Sequence, residues 1–332
     1  MSSWMLWTDP HFSENEIESY RWKIFEHLLD NALKYNVTEI VCLGDLTDKR
    51  DRFSSILVNR MVDEFSYLQV NTKADVTVLS GNHDRPINGP YYWKFLDKLG
   101  IQYITQPELY KNVWLLPFSD NPKRDWKGLD LEASIAIFMH QTGQGATVEG
   151  GRELSSHNLP ILPQNVISIS GDVHRQQAIN GIIYIGTPHP VRFSETWSNR
   201  MLIIKDNNFK NPIEIPLTYA RRAILDIKNS SELEKLDYGS ESQVRIRYLL
   251  SSSELTKWPE EEAKIVQWGK ERGVHIASTE AVLLGEGVKA STQEGAQQLE
   301  MLKPDEIIRE FATAEKLDEI TTTMGLELLK MV

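Results

Sequence analysis

The sequence predicts a layered α/β domain with its chemistry along one edge, followed by a smaller α+β unit, and three observations predict it. Short β-rich apolar runs alternate with amphipathic helical stretches. The runs are continuously apolar, as expected of strands buried on both faces, rather than alternating. Five of them stop abruptly at Asp, Asn or His. In open α/β sheets ligands gather outside the carboxyl ends of the strands, so these stops lie where binding chemistry is expected.

Taken in order, residues 4–7 lead into Asp9 and His11. A helix then starts with Ser13 as N-cap and Glu16 as its capping-box partner, and presents Ile17, Tyr20, Ile24, Leu28 and Leu29 to a core up to about residue 35. Residues 39–43 form a second strand ending at Gly44 and Asp45. A helix over 53–68, with Ile56, Leu57, Met61 and Phe65 on one face, connects it to a strand over 76–80 that ends at Gly81, Asn82, His83 and Asp84. A third helix spans 91–99, and strands over 134–139 and 166–170 end at His140 and at Gly171, Asp172 and His174.

After about residue 216 the character changes. Residues 221–227 and 243–250 read as strands and 259–272 as a helix, a small α+β domain over 217–284. Residues 285–302 are rich in Gly, Ser, Gln and Ala and read as a linker. Residues 303–332, with Pro304 at a helix start and apolar Ile307, Ile308, Phe311 and Leu317, read as an amphipathic hairpin suited to docking on a partner.

Composition narrows the class. The chain of 332 residues is 41% hydrophobic and 25% charged, ordinary values for a globular protein. No apolar run approaches the roughly 20 residues of a membrane span, and the first residues carry no basic leader pattern. Cys42 is the only cysteine, which excludes a disulfide scaffold within the chain and leads us to expect the cytoplasm. A formal charge of −11 argues against a general basic coat for nucleic acid, while leaving local arginine contacts open.

An Asp-x-His pair such as Asp9 and His11 is by itself more often a turn residue and a surface histidine than a chelate. Five strand tips supplying such residues together, with glycines to turn the backbone, make a clustered metal site the better reading. A mixed shell of carboxylate, imidazole and amide suits manganese, magnesium, iron or zinc, and the ligands suffice for two ions. Two ions need a bridging carboxylate, for which Asp45 is the candidate. Arg50, Arg52, Arg85, Arg175 and Arg192 lie on or beside the motif loops, where guanidinium groups can grip phosphates or simply pair with surface acids. Asp48 reads as a loop-fixing residue, and Cys42 as packing. His27, His157 and His275 read as surface or capping histidines.

TDPHF, GDLTD, GNHD, the strand ending at His140 and GDVH, in this order, resemble the five signature blocks of calcineurin-like metallophosphoesterases. GDVHRQQ followed by YIGTPHPVRFSE is similar to the stretch after the last block in SbcD-type nucleases, and the chain's length and later segments look like the compact phage-encoded recombination endonuclease subunit. The resemblance is strong to about residue 194 and weak beyond it.

It implies an α/β/β/α metallophosphoesterase sandwich over 1–216, a cap domain that contacts DNA over 217–284, and a hairpin that binds an SbcC-like ATPase. It further implies that Asp9, His11, Asp45 and His174 hold one ion, and that Asp45, Asn82, His140 and Asp172 hold the other. His83 would stand beside the scissile phosphate and Asp84 would orient it. The last block departs from the family's Gly-His-x-His, since Asp172 replaces its first histidine. A carboxylate there makes the site harder and favours manganese or magnesium. His189 and Glu195 lie in the family-like stretch without an assigned role.

The implied function is a DNA exonuclease, with single-strand endonuclease activity as an extension, in an SbcCD-like complex for DNA repair, recombination and replication. The resemblance also implies a homodimer, with residues 91–99 the aromatic surface to consider first, although ordinary core packing is the favoured reading of that stretch. The alternatives are a phosphomonoesterase or cyclic-nucleotide phosphodiesterase, because fold does not decide substrate, and a non-catalytic scaffold.

Overall fold

In the computed structural model, residues 2–50, 52–86, 90–148, 151–155, 159–195, 197–219, 222–238 and 242–284 are described. The expected linker over 285–302, the expected hairpin over 303–332 and His157 lie outside them. The chain divides into two compact units, Met1–Arg222 and Ala223–Val332.

The first unit holds two six-stranded sheets. One contains β1 (Trp4–Trp7), β2 (Glu39–Cys42), β3 (Asp75–Leu79), β4 (Gln102–Ile104), β11 (Asn199–Ile204) and β12 (Ile213–Leu217), in the order β12-β11-β1-β2-β3-β4. The other contains β5 (Glu108–Tyr110), β6 (Val113–Leu116), β7 (Ala136–His140), β8 (Ile167–Gly171), β9 (Gln177–Ile179) and β10 (Ile182–Tyr184), in the order β5-β6-β7-β8-β10-β9. β1 to β4 run parallel, as do β6, β7, β8 and β10, so each sheet gathers its strand ends along one edge.

The continuous apolar runs have the meaning expected of them. Successive residues of β1 serve different cores: Met5 and Trp7 pack toward α1 (Ile24–Tyr35) and α2 (Ser55–Asn71), whereas Trp4 and Leu6 pack between the sheets against Phe138 and Ile169. A third cluster, with Ile137, Met139, Trp126 and Tyr184, covers the far face of the second sheet. The result is the expected layered α/β/β/α arrangement. Its last layer is thin, since among the described residues it has the single-turn α3 (Pro122–Asp125) and packed loops.

Three local expectations are corrected. The cap of the first helical stretch is Asn15, whose side chain accepts from Ile17 N, while Ser13 Oγ only accepts from Asn15 N. Residues Glu16–Lys23 then form a 3-10 helix before α1 begins at Ile24. Three residues per turn rotate the apolar stripe relative to an α-helix, so Tyr20, Ile24 and Leu28 are buried but Ile17 is 40% exposed. In α2, capped by Ser54, the buried face is Leu57, Met61, Phe65 and Leu68, and Ile56 points to solvent. The stretch over 91–99 is also 3-10, Tyr92–Leu99, with Trp93 and Leu96 buried.

The second unit is built on β13 (Arg222–Ile227), β14 (Gln243–Leu250) and β15 (His275–Leu283), in that order, with α4 (Trp258–Arg272) packing Ile265 and Trp268 on Val244, Ile246 and Leu250. β15 is hard to read from sequence because Ser278, Thr279 and Glu280 interrupt its apolar pattern. No described helix is long and apolar enough to cross a membrane.

Candidate metal centre

β1, β2, β3, β7 and β8 deliver their carboxyl ends to one place. The loop after β1 runs beside the loop after β2, through Asp9 N to Gly44 O at 3.0 Å, His11 N to Asp45 O at 3.2 Å and Phe12 N to Leu46 O at 2.7 Å. The turns are sharp: Asp9, His11, Asp45 and Asp172 all have left-handed φ, of 52°, 44°, 56° and 73°. Such conformations cost non-glycine residues about 1–3 kcal/mol each and persist where surrounding structure holds them, often at functional sites. Two glycines admit the close approach. A Cβ at Gly81 would stand 2.1 Å from Asp45 Oδ1, and one at Gly171 2.2 Å from Thr8 Oγ1.

Two histidines are held through one nitrogen and offer the other, and a third lies with one nitrogen against a carboxylate. His140 Nδ1 lies 2.7 Å from Leu43 O, so it carries the proton and donates, leaving the Nε2 lone pair to the site. His174 Nδ1 donates to Glu195 Oε1 at 2.6 Å. His11 Nδ1 is 2.9 Å from Asp48 Oδ1, somewhat off the line of an ideal hydrogen bond. His11 Nε2 and His174 Nε2 are 3.1 Å apart. This pattern of an anchored Nδ1–H and a presented Nε2 is the one metal-ligating imidazoles use.

The carboxylates complete the arrangement. Asp9 Oδ2 accepts from Thr8 Oγ1 at 2.6 Å and Asp172 N at 3.2 Å, while Asp9 Oδ1, buried, has no hydrogen-bond partner among the described residues. Asp45 reaches both sides, with Oδ2 3.8 Å from His11 Nε2 and Oδ1 3.4 Å from His140 Nε2. Burial pushes the Asp9 carboxyl above its ordinary pKa, and the Asp45 charge adds to that. Burial also pushes on Asp45, but His140, His11 and His83 outweigh it and hold Asp45 well below the usual range.

Asn82 sits against this pair in one of two senses related by a half-turn of its amide. With nitrogen inward it donates to Asp45 Oδ1 at 3.1 Å and Oδ2 at 3.0 Å. With oxygen inward it joins Asp45 and His140 Nε2, 3.2 Å away, in a group made only of acceptors, which a cation satisfies. Asp172 stands at the margin: its Oδ2 accepts from Thr142 Oγ1, and its Oδ1 lies 3.7 Å from His140 Nε2.

Donor atoms of Asp9, His11 and His174 lie within 4.8 Å of one another, and so do those of Asp9, Asp45 and His140. The orphaned Asp9 oxygen and the convergent imidazole lone pairs fit divalent cations, and their oxygen-rich mixture with nitrogen fits hard or borderline ones. Asp9 is common to both groups, and Asp45 has one oxygen toward each histidine side.

His83 and Asp84 differ from expectation in their relation to each other. Asp84 does not orient His83. Its buried carboxylate accepts from Asp45 N at 2.7 Å, Leu46 N at 2.9 Å and Gly81 N at 2.9 Å, because the tight turns after β2 and β3 leave these amides without sheet partners. Burial and the Asp45 charge push Asp84 up to about 7, against the amides that hold the anion. His83 Nδ1 instead meets Asp48 O at 2.9 Å, and its own N–H donates to Asp45 Oδ1 at 2.9 Å. Asp48 thus braces His11 with its side chain and His83 with its carbonyl; burial notwithstanding, His11 and Arg21 hold its carboxyl down to about 2.

Of the arginines singled out by position, Arg85 is paired with Asp120 and Arg175 reaches Val148 O at 3.4 Å. Arg50, Arg52 and Arg192 are exposed. Cys42 is buried in its strand, where burial pushes the thiol pKa well up. Sequence reasoning passed over Arg21, and left His189 and Glu195 without roles. Arg21 carried a signal, a charge inside the apolar stripe Tyr20–Ile24, and Glu195 and His189 lay in a stretch that resembled the family beyond its ligands.

The family model described as calcineurin-like phosphoesterase matches residues 5–220. Among solved structures, a nuclease MPE from Pseudomonas putida is 14% identical, with a TM-score of 0.31 over 60% of this chain and 83% of that one. A dimetal phosphatase from Danio rerio is 14% identical, with a TM-score of 0.33 over 65% of this chain and 99% of that one. No curated protein matches the chain.

Proposed function

The chain belongs to the calcineurin-like phosphoesterase family, and from that premise we propose that it is a metal-dependent DNA phosphodiesterase, the nuclease subunit of an SbcCD-like repair and recombination complex. The observation that carries the reading is where the SbcD-like stretch goes. Glu195, at its end, braces His174, and His189, in its middle, holds Pro10 O at 2.7 Å. Residues that resemble the nuclease subfamily, rather than the wider family, are therefore built into the metal centre.

In this reading Asp9, His11, Asp45 and His174 hold one ion, and Asp45, Asn82, His140 and Asp172 hold the second. The carboxylate share favours manganese, with magnesium as the substitute. When bound, such a pair supplies an acidified water as nucleophile and neutralises charge on the phosphate. The protein's own groups do the rest. Asp45 keeps one oxygen toward each side, and the anchored imidazoles keep their lone pairs aimed. His83, braced by the Asp48 carbonyl, offers Nε2 to the scissile phosphate, where it protonates the leaving oxygen. The exposed Arg50, Arg52, Arg175 and Arg192 grip flanking phosphates, and Arg85 does so after releasing Asp120.

Residues 217–284 are assigned to DNA contact, residues 303–332 to an SbcC-like ATPase, and the aromatic 91–99 stretch to a homodimer, in a cytoplasm that is the host's if the chain is phage-encoded. The decisive assay compares manganese-dependent cleavage of oligonucleotide and plasmid DNA with hydrolysis of nitrophenyl phosphates and cyclic nucleotides. DNA cleavage abolished by a chelator is expected. Hydrolysis of the small esters with DNA untouched would replace this reading by the phosphomonoesterase or cyclic-nucleotide one, and inertness toward all would leave a scaffold. Deleting 303–332 is expected to abolish ATPase association and keep intrinsic nuclease activity.

A further inference from the structure

We propose that Arg21 and His189 are positioning residues that hold the Asp9–Pro10–His11 turn from behind and thereby set the affinity of the ion bound by Asp9, His11 and His174. This rests on the metal centre alone and not on which phosphoester is the substrate.

The turn needs such support. Two of its three residues sit at left-handed φ, 52° at Asp9 and 44° at His11, so the turn does not hold itself. Its last two carbonyls receive successive donors. His189 Nε2 is 2.7 Å from Pro10 O, and Arg21 Nη1 donates to His11 O. A carbonyl only accepts, so His189 carries its proton on Nε2; its Nδ1 has no hydrogen-bond partner among the described residues. The imidazole is therefore neutral, and among the described residues its one polar contact is the turn. Burial, with Arg21 nearby, pushes its pKa well below the ordinary value, which agrees with that state.

Both side chains are themselves fixed. His189 is 0% exposed and lies edge-on between Tyr20 and Tyr219, at centroid distances of 5.7 and 5.4 Å. Arg21, 2% exposed, also reaches Glu18 Oε1 at 2.6 Å, Asp48 Oδ2 at 3.6 Å and Val191 O at 3.4 Å. It thus ties the loop after β1 to the loop after β2 and to the chain beyond β10. Burying a guanidinium is costly even when it is paired, and apolar replacements often stabilise a fold. A geometric duty toward the turn is what the burial serves here.

The test is Mn2+ binding, followed by calorimetry and by the paramagnetic resonance of the free ion, with His189→Gln, His189→Leu, Arg21→Lys and the wild type. The thermal midpoint of each metal-free protein is recorded beside it. His189→Leu and Arg21→Lys are expected to weaken one of the two ions about 10-fold or more, the usual effect of losing an outer partner. His189→Gln, whose amide N–H can still reach Pro10 O, is expected to stay within about threefold of wild type, a rescue that packing alone would not give. Equal losses in His189→Gln and His189→Leu would overturn the proposal, as would wild-type affinity in a folded Arg21→Lys. Should His189→Leu fail to fold, Arg21→Lys and His189→Gln decide it. A wild type that takes up no Mn2+ would refute the metal centre itself, a separate outcome.

Discussion

Glu195 Oε1 lies 2.6 Å from His174 Nδ1, and the other oxygen of the same carboxylate accepts from Val191 N at 2.6 Å. One buried acid thus ties the last ligand histidine to a loop that follows it by about twenty residues. Burial works to raise the Glu195 carboxyl, but His174 and the backbone amides outweigh it and hold it below its ordinary range. Glu195→Ala is expected to lower Mn2+ affinity about 10–100-fold, with Glu195→Gln in between because it keeps an acceptor. Calorimetric titration checks this, and unchanged affinity in Glu195→Ala would remove the role.

His83 and Asp45 should fail in different ways. His83 touches the centre through its backbone and Asp48, so His83→Ala is expected to keep both ions and lose turnover by about 10²–10⁴-fold. Asp45→Asn, which weakens the carboxylate that reaches both sides, is expected to lose ions and turnover together. Metal content measured beside cleavage rate separates them. Metal loss in His83→Ala would place that residue among the ligands instead.

Asp172 decides whether the substitution in the last motif still coordinates. Asp172→Ala is expected to weaken one ion about tenfold while sparing the other, read from the second phase of a Mn2+ titration. Two ions bound as tightly as in wild type, with full activity, would mean that Asp172 serves only Thr142.

Gly81→Ala tests the close approach of loops. Its Cβ would meet Asp45 Oδ1 at 2.1 Å and Asp45 N at 2.5 Å, both held by the turn. A loss of about 1–3 kcal/mol is expected from the overpacking, together with weakened Mn2+ binding. Denaturant melts of the metal-free protein measure the first and titration the second; a variant indistinguishable in both would show that the loops have room.

The pH dependence has a definite sign. His174 has a raised pKa: burial opposes the charged ring, but Glu195 and Asp9 outweigh it. His140 is raised further, burial again being outweighed, chiefly by Asp45. A raised folded pKa contributes stability that is complete below the ordinary value of 6.5 and lost as pH climbs through the folded value. His189 works in the opposite sense, but only below about 6.5, where the unfolded chain takes up a proton that the folded one refuses. Above about 6.5 the metal-free protein should therefore lose thermal stability with rising pH, while the gain on adding Mn2+ grows because protons no longer compete. Melting curves with chelator and with Mn2+ check both, and a Mn2+ gain that shrinks with rising pH would contradict them.

Much of the site was legible because its chemistry is local. A ligand at the end of a parallel strand follows directly from an apolar run that stops at Asp or His, and all five such tips converge here. The helix starts were less legible, since Ser13 with Glu16 and Asn15 are nearly equivalent as local signals. The choice went to Asn15 when the chain adopted a 3-10 path that buries Tyr20 and Arg21.

The amino-acid order by itself determined which strands are buried on both faces, which residue types stand at their ends, and the family to which they belong. Only the tertiary structure decided who orients whom. Asp84 serves backbone amides rather than His83, Asp48 braces two imidazoles, and Glu195 and His189 reach back to His174 and Pro10. These relations span separations of up to 179 residues. No spacing rule carries information over that distance, because the partner of a buried donor is fixed by how sheets and loops pack and not by its neighbours in the chain.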